Sequence, residues 1–440
     1  MSEKRNIVLI TLDSVRADHC SFMGYHRKTT PTLDKMARKG LYFGNAIAAE
    51  VGTPYSMITI FTGEYSRVSS TTPTNPGPWR EVIKNRKTLA QILSEKGYTT
   101  GAFNPNAFVS SYFGFSKGFN YFEDFLSKRK NKNLIKELYA KIFDMVAKRG
   151  KKGIFYTLRN FLMFLCKEEL FRSWESYYDL ILKWINKTSE PFFIWILVID
   201  THHPYLAPRK FRRYSNLFTM WYSNYKLQKV KWENKLSPKE REWLINAYDD
   251  SIRYADAFIE RLWNDLKDLD PIFIIHADHG EGFCEHGFYG HGPYLYEELI
   301  HVPLIIYNAD IKGRIEKPIS LLSLAPTILE LIGEENEFPS KSFLNCENEW
   351  VISQVFDGEK IKVAVRTREW KFIIGQGEKD ELYNLKKDPN EQDNLIDVYP
   401  EQAKEMRRIA KTHIKHQLEV NKIRAITKLK LIKSLNKIKI

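Results

Sequence analysis

Three short apolar runs, far apart in this 440-residue sequence, each end in residues that can bind a metal ion or an anion. They are residues 7–12 before Asp13, 191–199 before Asp200 and His202, and 272–277 before Asp278 and His279. Uninterrupted runs of this length, rich in Ile, Val and Phe, are typical of strands buried on both faces of a parallel sheet. Such sheets bind ligands just beyond the carboxyl ends of their strands. The sequence therefore predicts that these acids and histidines converge at one edge of a sheet.

Strand-like and helix-like segments alternate between these runs, which indicates an α/β fold with a doubly wound, mostly parallel sheet flanked by helices. We assign residues 1–335 to this main domain, with helical insertions at about 125–190 and 208–262. Strand-like runs at 350–356, 361–366 and 370–374 predict a second sheet in a small C-terminal subdomain, residues 336–400. Residues 401–440 form a basic tail.

The chain lacks any run of roughly 20 apolar residues, the length that spans a bilayer. The first strand is expected by about residue 6 and leaves no room for a signal peptide, so we expect a cytoplasmic protein that is at most peripheral to a membrane. Four scattered cysteines, Cys20, Cys166, Cys284 and Cys346, predict reduced thiols.

Much of the net charge of +13 lies in residues 401–440, which hold twelve Lys or Arg and three Glu. Within 421–440, apolar residues recur at three-residue intervals from Ile423 to Ile438 and predict an apolar stripe on a basic helix. Two uses remain open: docking on the protein's own body or on a second subunit, and contact with an anionic membrane surface. A nucleic-acid partner is not expected, because no recognition motif accompanies the charge.

Thr53 is the candidate nucleophile. Pro54 suits the first position of a helix, so we expect Thr53 to be the helix N-cap. Free backbone amides and the positive end of the helix dipole would then favour a deprotonated hydroxyl beside them. An N-cap threonine is usually only structural, and the residues elsewhere in the chain give this one its interest.

Several segments follow one another in a family-specific order and spacing. They are residues 6–18 and 30–34, Thr62-Gly63, 202–205, 277–292, 302–304 and 381–395. In these segments the sequence resembles the sulfatase branch of the alkaline phosphatase superfamily, from about residue 5 to about residue 397.

The resemblance implies site residues position by position. Asp13, Asp278 and His279 would bind one divalent cation, Mn²⁺, Mg²⁺ or Zn²⁺, with Thr53 at the same ion; Ca²⁺ suits an imidazole ligand less well. His202 and His291 would hold the anionic group or assist the leaving oxygen. Weaker substrate-binding candidates are His203, His286, Asn104 and Asn106. A second ion would need Asp200, His202 or His291.

The departures from true sulfatases are equally informative. Threonine stands where those enzymes convert a Cys or Ser to formylglycine, and Asn104 and Asn106 stand where basic side chains grip sulfate. These changes resemble the threonine-dependent phosphotransfer members, of which lipoteichoic acid synthase is the type. We therefore expect a metal-dependent hydrolase or transferase of a phosphodiester or phosphonate-like monoester, small or linked to a glycan or lipid. The alternatives are an arylsulfatase-like hydrolase and a catalytically silent scaffold of the same fold.

Overall fold

The computed structural model describes residues 4–68, 77–125, 172–230, 235–345, 349–357 and 360–438, and for 421–438 the backbone alone. The strands are β1 (Ile7–Leu12), β2 (Leu41–Phe43), β3 (Ala46–Ile47), β4 (Thr99–Phe103), β5 (Tyr121–Glu123), β6 (Phe192–Val198), β7 (Ile272–Ala277), β8 (Gly282–Phe283), β9 (Tyr289–Gly290), β10 (His301–Val302), β11 (Leu304–Tyr307), β12 (Gly313–Ile315), β13 (Ile319–Ser320), β14 (Trp350–Asp357), β15 (Lys360–Thr367), β16 (Trp370–Gly375) and β17 (Glu381–Asn384). The helices are α1 (Pro31–Lys39), α2 (Thr53–Thr62), α3 (Gly77–Lys84), α4 (Leu89–Glu95), α5 (Tyr178–Ile185), α6 (Leu217–Lys229), α7 (Pro238–Asp265), α8 (Glu297–Ile300), α9 (Leu324–Leu331) and α10 (Pro400–Ile438).

An eight-stranded sheet forms the core, in the order β12-β2-β11-β7-β1-β6-β4-β5. Five adjacent strands of this sheet, β7, β1, β6, β4 and β5, run parallel to one another. Strand β11 runs antiparallel to both of its neighbours, β7 and β2. Every residue of β1, β6 and β7 is buried, which explains why these strands are apolar without alternation. The predicted α/β fold with a mostly parallel sheet is confirmed.

The C-terminal subdomain contains the second sheet that the sequence predicts, in the order β14-β15-β16-β17 and antiparallel throughout. Its fourth strand, β17, lies in a segment that we had noted only as a family signature. One face packs on the buried residues Ala403, Met406 and Ala410 of α10, so the first part of the tail docks on the protein's own body.

The two predicted insertions are described to different extents. Residues 208–262 contain α6 and most of α7, two helices that pack against each other. Of residues 125–190, the segment 126–171 lies outside the described residues, as do Cys166 and Cys346; Cys20 and Cys284 are free thiols. Side chains of the predicted apolar stripe at 421–440 also lie outside the description. Among the described helices, none has the length and apolar character that crossing a bilayer requires.

Helix α1 is capped by a side chain of another helix. Thr30, the residue before α1, makes no capping bond with its side chain. Instead the buried Asp256 of α7 accepts hydrogen bonds from the backbone N–H groups of Thr32 at 2.9 Å and Leu33 at 3.0 Å. Because first-turn N–H groups have no partner within their own helix, this carboxylate joins α1 to α7.

We expect Asp256→Ala to lower the free energy of unfolding by about 2 kcal/mol, because two buried N–H groups lose a charged acceptor. Urea denaturation followed by circular dichroism measures the change. The matched control on the same helix is Glu260→Ala, which removes a pair with Lys35 in which both side chains are 49% exposed. That variant should change stability by less than about 0.5 kcal/mol. Equal, small losses in both variants would show that Asp256 is not needed to cap α1.

Candidate active site

The strand register brings two acids together. Leu12 of β1 lies opposite Ala277 of β7 in a parallel pair, so the next residues, Asp13 and Asp278, leave adjacent strand ends side by side. Three buried residues, Asp13, Asp278 and His279, each offer one atom that can bind a metal ion. These three atoms all lie within 4.8 Å of one another. We call these three residues the carboxylate–imidazole cluster. Its position confirms the predicted convergence at the carboxyl ends of the strands.

The donor atoms of the cluster fit a divalent cation. Asp278 Oδ1 accepts from the N–H groups of Ser14 and His279, both at 3.0 Å, while its buried Oδ2 has no hydrogen-bond partner among the described residues. His279 Nδ1 donates to the carbonyl of Gly280 at 2.8 Å, so the neutral ring carries its lone pair on Nε2. That Nε2 lies 3.5 Å from Asp278 Oδ2. A buried carboxylate oxygen and an imidazole nitrogen without protons are left for an ion.

The electrostatics of the cluster also favour a bound cation. Burial, and after it the neighbouring Asp278 carboxylate, raise the pKa of Asp13, and burial raises the pKa of Asp278. Burial, with the nearby His291, lowers the pKa of His279 to about 4, which keeps its ring neutral. Two buried acids beside a neutral ring are costly as carboxylates unless a positive charge joins them.

Two neutral side chains hold the acids in place. The Ser14 hydroxyl donates to Asp13 Oδ1 at 2.9 Å, and the Asn106 amide donates to Asp13 Oδ2 at 2.9 Å. Ser14 adopts a left-handed backbone, with φ of 61°, which lets its N–H reach Asp278 while its hydroxyl reaches Asp13. A non-glycine residue with positive φ is uncommon, and here it connects both carboxylates.

Thr53 lies at the cluster, but its place in the helix differs from our prediction. Its hydroxyl is 3.3 Å from His279 Nε2. Helix α2 begins at Thr53 itself, and Gly52, with φ of 91°, is the N-cap. The prediction of Thr53 as the N-cap is therefore wrong by one residue, because the glycine supplies the turn into the helix. Thr53 still lies in the first turn, at the positive end of the helix dipole.

His291 and His202 lie beside the cluster. The ring centroid of His291 is 4.4 Å from that of His279 and 5.5 Å from that of His202. Burial opposes a charge on His291, but Glu281, whose Oε1 lies 3.1 Å from Nδ1, outweighs it and raises the pKa of His291 to about 9. The other oxygen of Glu281 accepts from the Tyr205 hydroxyl at 2.9 Å. Glu281 thus favours the charged form of His291, whose ring lies next to that of His279.

The other candidates have different surroundings. Asn104 is fully buried; its side chain donates to the carbonyl of Val109 and accepts from the N–H of Asn106, so it positions Asn106. The ring of His203 makes an edge contact with Tyr205, and burial lowers the pKa of His203 to about 4.

His286 is not brought to the cluster. Its Nδ1 lies 2.7 Å from Glu298 and its Nε2 lies 3.0 Å from the carbonyl of Glu391, and its ring stacks on Tyr296. These contacts occupy both ring nitrogens and tie His286 to the C-terminal subdomain. Its assignment to substrate binding stays a prediction that these contacts do not support.

The carboxylate of Asp200, the candidate ligand of a second ion, accepts a hydrogen bond from the N–H of Trp174 at 3.2 Å.

Two residues that contact the site were missing from the residues predicted from the sequence, Ser14 and Glu281. Ser14 follows a predicted ligand directly, and Glu281 is an acid in the motif that contains Asp278 and His279. Proximity to the ligands was the only sequence signal for either residue.

Comparisons with known proteins agree with this geometry. Residues 5–334 match the sequence profile of the Sulfatase family. An arylsulfatase of Clostridium perfringens is 24% identical over 477 residues, covering 92% of this chain and 93% of its own. The structure of a 2-O GAG sulfatase superposes with a TM-score of 0.70 at 18% identity, covering 96% of this chain and 94% of that chain. The phosphonate monoester hydrolase of Agrobacterium radiobacter has a TM-score of 0.66 at 16% identity, covering 95% of both chains.

We expect Asp278→Asn to abolish metal binding while the fold remains. The amide oxygen can still accept from Ser14 and His279, but the NH₂ group that replaces Oδ2 cannot bind a cation. Mn²⁺ at 100 times its dissociation constant should stabilise the wild type by about 2.7 kcal/mol and leave the variant unchanged. Thermal unfolding and elemental analysis measure both effects.

The control for this substitution is Asp200→Asn. Asp200 follows β6, the strand on the other side of β1 from β7. That variant should keep the full metal response. Retention of stoichiometric metal by a folded Asp278→Asn protein would exclude Asp278 as a ligand.

Proposed function

Because the chain belongs to the sulfatase family, we propose that it is a metal-dependent hydrolase or transferase of phosphate esters with Thr53 as nucleophile. The observation that carries the proposal is the Thr53 hydroxyl, 3.3 Å from His279 in a cluster of two buried carboxylates and an imidazole. A threonine cannot be converted to the aldehyde that formylglycine chemistry needs. A direct attack by its hydroxyl avoids that requirement.

Asp13, Asp278 and His279 would hold the divalent cation. When bound, the ion lowers the pKa of a nearby hydroxyl and neutralises charge on the transferring group. The chain's own contribution is to fix the acids through Ser14 and Asn106, and to place Thr53 in the first turn of α2.

The reaction that we propose has two displacements at phosphorus. The Thr53 oxygen loses its proton and forms a bond to phosphorus, while the bond to the ester oxygen breaks and the alcohol leaves with a proton. Water or an acceptor alcohol then attacks the phosphothreonine and restores the Thr53 hydroxyl. A water acceptor gives hydrolysis and an alcohol acceptor gives transfer.

His291 and His202 suit the groups that carry charge during these steps. His291 is held by Glu281 at 3.1 Å, and a cationic ring there can pair with a phosphoryl oxygen or protonate the leaving oxygen. His202 follows β6 in the chain, and its ring centroid is 5.5 Å from that of His291. We assign the two histidines to the anionic group and the leaving oxygen.

Sulfate esters are the second candidate substrate class. The arylsulfatase and the 2-O GAG sulfatase to which the chain is similar favour it, whereas the phosphonate monoester hydrolase favours a phosphonate-like monoester. We prefer phosphoryl transfer because a sulfated threonine lacks the second hydroxyl that releases sulfate from formylglycine.

We expect Thr53→Val to lose nearly all turnover of chromogenic phosphodiesters and phosphonate monoesters, because it keeps the branched shape and removes the nucleophile. Thr53→Ser should retain part of the activity. Intact-mass spectrometry after a rapid quench should show one phosphoryl adduct on the wild type and none on Thr53→Val. Full activity of the valine variant would exclude Thr53 as nucleophile.

We expect turnover of a phosphoryl substrate to exceed that of the sulfuryl substrate with the same leaving group by at least about a hundredfold, or about 2.7 kcal/mol of barrier. Steady-state kcat/KM values for matched nitrophenyl esters measure the ratio. Equal or faster turnover of the sulfate ester, without an adduct on Thr53, would favour the sulfatase reaction.

We expect His291→Asn to slow esters of alkyl alcohols at least about tenfold more than nitrophenyl esters, because a poor leaving group depends on protonation. The measured quantity is the slope of log kcat/KM against the pKa of the leaving alcohol. An unchanged slope with a uniformly higher KM would instead assign His291 to binding of the anionic group.

A further inference from the structure

Two loops follow strands whose carboxyl ends lie at the edge of the sheet that carries the site. Strands β4 and β6 are parallel neighbours, so the segments that follow them leave the sheet at the same edge as Asp13. Phe108 lies two residues beyond Asn106, whose amide binds Asp13. Leu206 lies four residues beyond His202. We call residues 206–218, together with Phe108 and Tyr112, the rim.

Exposed apolar side chains are concentrated in the rim. Within the described part of the chain, eight large apolar side chains are exposed, and five of them belong to the rim: Phe108, Tyr112, Leu206, Leu217 and Phe218. Phe218 is 58% exposed, and its ring stacks on Tyr222. Single exposed apolar residues need no explanation, but their concentration in two loops that leave the sheet at one edge is typical of an interaction surface.

The backbone of the rim is held in place by buried polar groups. Asp250, a fully buried residue of α7, accepts from the N–H groups of Arg213, Tyr214 and Ser215 at 2.7 to 3.0 Å. At the start of the rim, Asn224 of α6 bonds both the N–H and the carbonyl of Tyr205. The exposed apolar side chains are therefore presented by a fixed segment.

The chain segment of the rim is basic. Residues 206–218 contain four Lys or Arg and no Asp or Glu. Arg209, Lys210 and Arg213 are exposed and lie between the exposed residues Leu206 and Leu217, and Lys210 pairs with Glu175 at 2.7 Å. Such a surface complements a negatively charged partner that also accepts apolar side chains.

We propose that the rim docks on an anionic membrane surface, with its apolar side chains in the interfacial region and its basic side chains at the lipid headgroups. Docking through the rim would turn the mouth of the site toward the membrane. The proposal does not involve the tail at 421–440, and only the first part of α10 is shown to pack on the C-terminal sheet.

A second copy of the chain fits the rim less well than a lipid surface. In a two-fold dimer the same patch occurs on both sides of the interface. Two acid-free segments, each with four basic residues, would then face each other and repel. An anionic bilayer supplies both the opposite charge and an apolar interior.

The test is sedimentation with vesicles of phosphatidylglycerol and phosphatidylcholine in the absence of substrate. We expect wild-type protein to bind these vesicles, to bind pure phosphatidylcholine weakly, and to be released as salt rises from 0.05 to about 0.5 M. Leu217→Glu with Phe218→Glu should lower the partition coefficient at least about tenfold. Arg209→Gln and Arg213→Gln should each lower it about fivefold.

Matched controls separate the rim from other surfaces. Val398→Glu with Tyr399→Glu alters two exposed apolar residues outside the rim, 62% and 42% exposed, and should bind like wild type. Thr53→Val should also bind like wild type, so failure of the proposed catalysis leaves this result unaffected. Circular dichroism confirms the fold of each variant.

Three results would overturn the proposal. They are wild-type binding by the Leu217→Glu, Phe218→Glu protein, complete loss of binding in a chain that ends at Val420, and dimerisation that the rim substitutions abolish, measured by light scattering. The second result would assign membrane contact to the tail, and the third would assign the rim to a second copy.

Discussion

Two carboxylates buried side by side, Asp13 and Asp278, are the constraint on which the rest of the site depends. The parallel register of β1 and β7 leaves them no freedom to separate, because each directly follows a strand at the centre of the sheet. Both side chains are buried, and burial raises the pKa of both groups because it disfavours their charged forms. A bound cation would offset this cost.

The surrounding elements satisfy these acids without adding negative charge to the ion's position. Ser14 reaches both carboxylates, and its carbonyl accepts from Tyr248 of the long helix α7. Asn106, from the loop after β4, binds the second oxygen of Asp13, and Thr201, after β6, donates to the Asp13 carbonyl. The loops after three adjacent strands, β1, β6 and β4, thus each supply one neutral hydrogen-bond donor to Asp13. The order of the strands therefore helps to fix the position of this carboxylate.

Much of this arrangement could be predicted because buried parallel strands leave a plain signal in the sequence. The runs before Asp13 and Asp278 are apolar throughout, and strand ends in a parallel sheet share an edge. The contacts that could not be predicted depend on how the chain turns and on how distant segments pack. A turn of the chain brings Glu281 against His291. His286 instead contacts the carbonyl of Glu391 in the C-terminal subdomain. The start of α2 was misplaced because one glycine angle decides it.

The charge balance favours one ion over two. Among the described residues, only Asp13, Asp278 and His279 form a group that could hold a metal. Of the residues that a second ion would need, Asp200 already accepts a hydrogen bond from the N–H of Trp174, and His291 already lies against Glu281. Glu281 in turn accepts from the Tyr205 hydroxyl. One divalent cation would balance the charges of the two aspartates, whereas the neighbouring acid Glu281 already has an imidazole partner.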